Sequence, residues 1–277
     1  IENMIPVDNS SKFGTYKPNS LTSIVILITR SVGKSWLSKR IIFLLRRIAI
    51  ALSKDCIDTN LFNSSLRMYT KGNVSEKRAL FSPQIFEEEE REYIGQRAKD
   101  NSVFIDIGAN IGLYSFSVGS SYKKFKNTKI YSIEPHPYLF KRLLYNASLN
   151  NDVPMHVKEM AIMDRSGKFN LDTPNENLGQ GVISKTGEHL VVGKKLSEFI
   201  LDEGIKEVSA MKIDVEGNEE KVIIPFLKES KDKYLPLIIV IENNKRFWKK
   251  DLIKLLEKRG YVIKKRTRMN YILELYN

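Results

Sequence analysis

Apolar positions fall into short, nearly unbroken runs separated by polar stretches, the pattern of an α/β chain whose central strands are covered on both faces. The clearest run, Val103-Phe104-Ile105-Asp106-Ile107, predicts a buried strand, a glycine turn at Gly108 and Gly112, and a helix from Leu113. Further runs predict strands over residues 129–133, 155–162, 210–213 and 236–241. Residues 260–264 and 270–275 close the sheet, one of them antiparallel. Apolar residues at three- and four-residue spacings predict helices over 138–150, 196–202 and 246–258. Residues 81–99 also read as a helix, with Ser82 as its cap, Pro83 in its first turn, and Glu87, Glu88, Glu89 and Glu90 at the positive end of its dipole. That acidic run is read as a solvated face.

The first eighty residues are patterned differently. Residues 1–20 are polar and read as an extended or poorly ordered lead, with Met4 the expected native start. Residues 21–29 are apolar, too few to span a bilayer, which takes about twenty; they suit a strand or a short buried helix. Residues 36–52 combine Lys39, Arg40, Arg46 and Arg47 with ten large aliphatic and aromatic side chains. Such a helix can dock on the catalytic domain or on a second subunit in a homo-oligomer, or lie on a membrane surface. Lys71-Gly72-Asn73 marks a turn. The chain thus divides into a basic, mainly helical extension (1–80) and a domain over 81–277.

Composition narrows the setting. A chain of 277 residues buries a full core. Its single cysteine, Cys56, excludes an internal disulfide and a cysteine-rich metal site, and a reducing cytoplasm is the simplest location. The net charge of +12 is uneven: 13 cations face 5 carboxylates over residues 1–80 and 15 face 6 over 221–277, leaving the middle acidic. The basic ends could attract phosphorylated acceptors, anionic lipid or nucleic acid, or simply confer solubility.

The chemistry concentrates at the strand ends, where open α/β sheets bind ligands. A dinucleotide turn requires G-x-G-x-x-G, but Asn110 stands at the second glycine and Asp106 precedes the turn. A carboxylate there suits a cationic ligand and repels pyrophosphate. Glu134 ends the second strand, some twenty-odd residues beyond the turn, where a carboxylate commonly receives ribose hydroxyls. Asp214, Glu216 and Glu242 end later strands on the same rim, and any of them could accept a proton. Asp214 with Glu242 and Asn243 could instead hold a hard divalent cation such as magnesium. His136 is read as a turn cap and His189 as structural.

The block Asp106-Ile-Gly-Ala-Asn-Ile-Gly112, followed by Ile-Glu-Pro-His-Pro137 and Lys-Ile-Asp-Val-Glu-Gly217, resembles the FkbM family of S-adenosylmethionine-dependent methyltransferases. The resemblance runs from about Phe86 to the C-terminus. It implies a Rossmann-like class I methyltransferase fold, with a mostly parallel seven-stranded sheet and helices on both faces. It also implies S-adenosylmethionine as cofactor, met by Asp106, Gly108, Ala109, Asn110, Gly112 and Glu134, with Met160 and Ala161 near the adenine. Asp214 would face the methyl-donor end and Glu216 the acceptor, beside a β insertion over residues 167–190. The implied acceptor is a hydroxyl on a sugar, glycan or other small molecule. RNA ribose methylation and a catalytically silent binding module are the rival readings; an Asp-Pro-Pro-Tyr motif for base amines is absent, which counts against nucleic acid.

Overall fold

The computed structural model describes residues 6–173, 177–184 and 186–276; Met4, the expected start, lies outside them. Helices α1 (Ser20–Ser31) and α2 (Trp36–Leu52) come first, capped by Asn19 and Ser35, whose side chains accept the Thr22 and Ser38 amides. An antiparallel hairpin, β1 (Cys56–Leu61) and β2 (Ser64–Tyr69), leads to α3 (Val74–Phe81) and α4 (Glu88–Gly95). Strands and helices then alternate as β3 (Val103–Ile107), α5 (Leu113–Tyr122), β4 (Lys129–Ile133), α6 (Pro137–Ser148) and β5 (Met155–Lys158). Four short strands make a separate sheet: β6 (Ala161–Ile162), β7 (Gly167–Asp172), β8 (Val182–Ser184) and β9 (His189–Lys194). The chain ends with α7 (Leu196–Asp202), β10 (Ala210–Ile213), α8 (Glu219–Glu229), β11 (Ile238–Glu242), α9 (Leu252–Lys258), β12 (Tyr261–Arg266) and β13 (Asn270–Leu275).

The main sheet has the order β12-β13-β11-β10-β3-β4-β5. Its strands are parallel except β13, which runs antiparallel to β11 and β12. From β3 the chain builds outward through β4 and β5, then returns to the other side of β3 with β10. That reversal opens a crevice at the carboxyl ends of β3 and β10, where such sheets bind ligands. This is the class I methyltransferase architecture.

Both faces of the sheet are covered. On one, Phe104 and Ile130 pack with Tyr114 and Phe116 of α5, and the same cluster takes in Ile57, Leu66 and Phe81 from the first eighty residues. On the other, Ile105, Ile107 and Ile213 pack with Phe199, Val222 and Phe226. The N-terminal segment is also tied down by polar bonds. The Arg142 guanidinium of α6 lies 2.6 Å from the Glu76 carboxylate of α3, both fully buried, and the side chains of Asn146 and Asn150 accept the backbone amides of Arg67 and Ser65.

Residues 21–29 lie in helix α1, the helical one of the two elements expected there. Several expectations require correction. The polar lead is held in place over residues 8–16: Tyr69 accepts the Asp8 amide, and Asp58 accepts the amides of Gly14 and Tyr16. Residues 81–99 are not one helix. Ser82 closes α3, its amide donating to the Arg78 carbonyl, and Glu87 at φ 44° breaks the path before α4. The expected third strand splits into β5 in the main sheet and β6 in the small one. Only Leu252–Lys258 of residues 246–258 is helical, since Asp251 caps it there by accepting the Lys254 amide.

Candidate functional site

A row of polar side chains crosses the sheet below the crevice. Strand register sets Lys212 of β10 beside Asp106 of β3, and Asp106 beside Ser132 of β4. From above, Ser115 of α5 donates to Asp106 Oδ2 at 2.6 Å and meets Ser132 Oγ at 2.7 Å. Lys212 Nζ lies 4.0 Å from Asp106 and 2.9 Å from Asp214. Asp106 is fully buried, and burial raises its carboxyl pKa against the pull of Lys212 and Ser115. It is not among the residues lining the cleft. Asp106 sits beneath the turn rather than on the cleft surface, with its Oδ1 buried and without a hydrogen-bond partner.

The turn above that floor needs its glycines. Gly108 (φ 81°) passes so close to the end of β10 that a Cβ would stand 1.8 Å from the Asp214 carbonyl oxygen. Asn110, also left-handed at φ 55°, folds its side chain back, accepting from the Ile111 amide at 2.9 Å and from Asn73 Nδ2 at 2.6 Å. Asn73 in turn caps α3, so the N-terminal segment grips the turn directly. Gly112 supplies the left-handed residue that starts α5 and does not line the cleft.

Glu134 extends from the end of β4 with both oxygens engaged: Oε2 accepts the Asn110 amide at 2.7 Å and Oε1 the His136 amide at 2.9 Å. Burial outweighs those bonds and pushes its carboxyl up to about 7. Each oxygen keeps a lone pair for a ligand. His136 caps α6 through Nδ1 and meets Thr173 through Nε2, as well as lining the cleft. Burial, with the neighbouring His189, pushes it down to about 4, so the ring is neutral at physiological pH.

These elements enclose a cleft of about 1080 Å³ including its open mouth. Gly108, Ala109 and Asn110 line one edge, and Met160, Ala161 and Ile162 form an apolar wall. Glu87, Asp214 and Glu216 line the cleft too. A roof comes from the β insertion, where Leu178 donates its amide to the Gly72 carbonyl at 2.8 Å and Asn177 accepts the Val74 amide. Of the residues anticipated for the site, Gly108, Ala109, Asn110, Glu134, Ala161, Asp214 and Glu216 meet in this cleft; Asp106, Gly112, Glu242 and Asn243 do not line it.

Charge in the cleft is organised around Lys212. Burial opposes its ammonium, but Asp214, Asp106 and Glu87 together hold its pKa above the ordinary range. Lys212 and a hydrogen bond from Glu242 keep Asp214 ionised despite burial. Glu242 is pushed the other way by burial and by Asp214, and so keeps its proton. Burial first and Asp214 second push Glu216 up to about 7, with its backbone left-handed at φ 50°. Burial likewise pushes Glu87 up to about 7.

The metal set Asp214, Glu242 and Asn243 does not fit. Asp214 is paired with the Lys212 ammonium and Glu242 accepts from Asn244 Nδ2 at 2.5 Å, while the Asn243 backbone N–H donates to the Met269 carbonyl. Among the described residues, no group of three or more His, Cys, Asp or Glu side chains could hold a metal ion. The sequence reading also missed two residues. Lys212 could have been noticed as one cation inside an apolar strand between two carboxylate-bearing strand ends. For Glu87 the residues themselves gave no such signal, since its acidic run looks solvated until the chain bends there; only the family resemblance pointed to this region.

The family model for the methyltransferase FkbM domain matches residues 106–263, from the end of β3 into β12. The chain belongs to this family of S-adenosylmethionine-dependent methyltransferases. Solved structures similar in fold include the methyltransferase FkbM from Methylobacillus flagellatus KT (17% identity, 73% of this chain and 54% of that one, TM-score 0.46). The precorrin-6y C5,15-methyltransferase of Geobacter metallireducens GS-15 is similar at 14% identity over 69% of this chain and 88% of that one (TM-score 0.42). M. jannaschii TYW2 in complex with AdoMet is similar at 14% identity over 81% and 88% (TM-score 0.37). A search of curated protein sequences finds no match. The methyltransferase spans about half the length of its Methylobacillus relative.

Proposed function

We propose that this methyltransferase O-methylates a hydroxyl of a sugar, glycan or comparable small molecule, with Glu216 as general base. The observation that carries the reading is Glu216 itself, a cleft carboxyl brought up to about 7 by burial and by Asp214. A base poised near the working pH takes a proton most effectively. Asp214, locked in its charged form by Lys212, stays an acceptor and aligns what lies between it and Glu216.

The donor set fits S-adenosylmethionine. Glu134 offers paired acceptors suited to a ribose diol, the wall of Met160, Ala161 and Ile162 suits a base, and the acidic end suits an ammonium and a sulfonium. The hydroxyl of Tyr114, which lines the cleft, is buried without a partner and is available to a ligand. The amides of Gly108, Ala109 and Asn110 are all engaged by the Ile133 carbonyl or Glu134, which fixes the turn before any ligand arrives. When bound, the cofactor supplies an electrophilic methyl group on a charged sulfur. Glu216 holds the proton released by the acceptor hydroxyl.

An RNA acceptor is disfavoured by the same charges. Among the described residues, Glu87, Glu134, Asp214 and Glu216 line the cleft against the one ammonium of Lys212, an arrangement that disfavours a phosphate backbone. Incubation with methyl-labelled donor and cell extracts fractionated into glycan, lipid, RNA and protein tests the proposal. Label in a glycan or small-molecule fraction, lost in the Glu216→Gln variant, supports it; label in RNA or protein overturns it.

A further inference from the structure

The methyltransferase cleft leaves unexplained the most apolar part of the surface. Helices α1 and α2 pack against each other, and residues 21–52 hold eleven of the twenty-four large apolar side chains exposed among the described residues. On α2, Leu37, Ile41, Leu44 and Ile48 recur at four, three and four residues and form one outward stripe. The opposite side of the helix is the buried one, carrying Ile42 and Ala49. Helix α1 repeats the arrangement, with Leu21, Ile24 and Ile28 outward and Val25, Ile26 and Thr29 inward. Leu27 is 68% exposed, Trp36 67% and Leu44 61%. The docking of this helix pair on the domain thus uses only one side of each helix, and a second apolar side remains.

The charge around these stripes decides what covers them. Residues 9–54 contain nine lysines and arginines and no aspartate or glutamate. Arg40 and Arg47 flank the α2 stripe, both exposed, and Arg40 lies over the Trp36 ring at 4.1 Å. A second copy of this chain meeting the same face would bring like charges together across a two-fold axis; the carboxylate at the patch's edge, Glu88, is already paired with Lys34. A nucleic acid would match the charge but leave the leucines and isoleucines in water. Anionic lipid satisfies both, taking the stripe among its acyl chains and the arginines at its headgroups. Among the described residues no helix is long and apolar enough to cross a membrane, so the contact is with the surface.

We infer that α1 and α2 form an interfacial platform that seats the protein on an anionic membrane. The platform is joined to the cleft: α1 packs against α3, and Ser75, in the first turn of α3, lines the cleft. This inference is independent of the acceptor's identity and stands or falls on lipid binding alone.

Flotation of the full chain with vesicles of phosphatidylcholine, with and without phosphatidylserine, tests it. Binding is expected only with phosphatidylserine and should weaken with salt. Arg40→Gln with Arg47→Gln should weaken it about twentyfold or more, at roughly fivefold per cation. Leu44→Ser with Ile48→Ser should abolish it at unchanged charge. Both variants alter exposed side chains, and calorimetry with S-adenosylmethionine, expected to match wild type, checks that each is folded. No phosphatidylserine-dependent binding would overturn the inference. So would a dimer in sedimentation velocity that the Leu44→Ser, Ile48→Ser variant dissolves, or an oligonucleotide bound more tightly than the vesicles.

Discussion

Replacing Lys212 with methionine removes the one cation that lines the cleft among the described residues, while keeping a side chain of similar length. Its ammonium lies 2.9 Å from Asp214 and 4.0 Å from Asp106, distances worth about 6 and about 4 kcal/mol of gross attraction at an effective dielectric near 20. Most of that repays the burial of Lys212 and Asp106 and the partial burial of Asp214, whose side chain is 29% exposed. The net loss on removing one partner of a buried ion pair is about 3–5 kcal/mol. The loss must depend on pH. Without Lys212, burial leaves both carboxyl groups with folded pKa values above their unfolded ones, so each is tolerated while protonated and destabilises as pH rises through its folded value. Urea unfolding of Lys212→Met should show a deficit of about 3–5 kcal/mol near pH 8 that shrinks towards pH 5. A deficit below about 1 kcal/mol, the level of an exposed pair, or one that does not vary with pH, would refute the reasoning.

Two further outcomes follow from the same geometry. Glu216→Gln should lower kcat by about 10²–10⁴ with little change in cofactor affinity. The rate of the unaltered enzyme should rise as pH passes about 7, where the Glu216 carboxyl gives up its proton, and that limb should vanish in the variant. Gly108→Ala would set a Cβ 1.8 Å from the Asp214 carbonyl oxygen. It should therefore cost several times the roughly 0.4–1 kcal/mol that this exchange can add at a compatible site, read as a fall in the urea midpoint and in cofactor affinity together.

Central strands were the most legible part of the chain. Val103–Ile107, Lys129–Ile133 and Ala210–Ile213 fall at the expected residues, because a parallel strand covered on both faces is dominated by apolar side chains and stands out from the polar segments around it. Legibility faded where a tertiary contact overrides a local pattern. Residues 81–99 have helical composition throughout, yet Glu87 turns left-handed and carries its carboxyl to the cleft. Residues 155–162 read as one strand but serve two sheets, a division made by pairing with β9 that no local signal encodes. Asp106 was placed correctly on its strand. Its position at the strand end is readable, whereas its enclosure by Ser115 and Lys212 depends on which side chains the sheet sets next to each other. The grip of Asn73 on Asn110 joins segments far apart in the chain and was invisible for the same reason.

Calorimetric titration of S-adenosylmethionine and, separately, of NAD into the wild-type chain and Glu134→Gln tests the cleft assignment most directly. Saturable binding of S-adenosylmethionine with no heat from NAD is predicted, weakened about tenfold or more in the variant as a charge-assisted hydrogen bond to the ribose is lost. Binding of NAD in its place, or equal affinity in the two proteins, would contradict it.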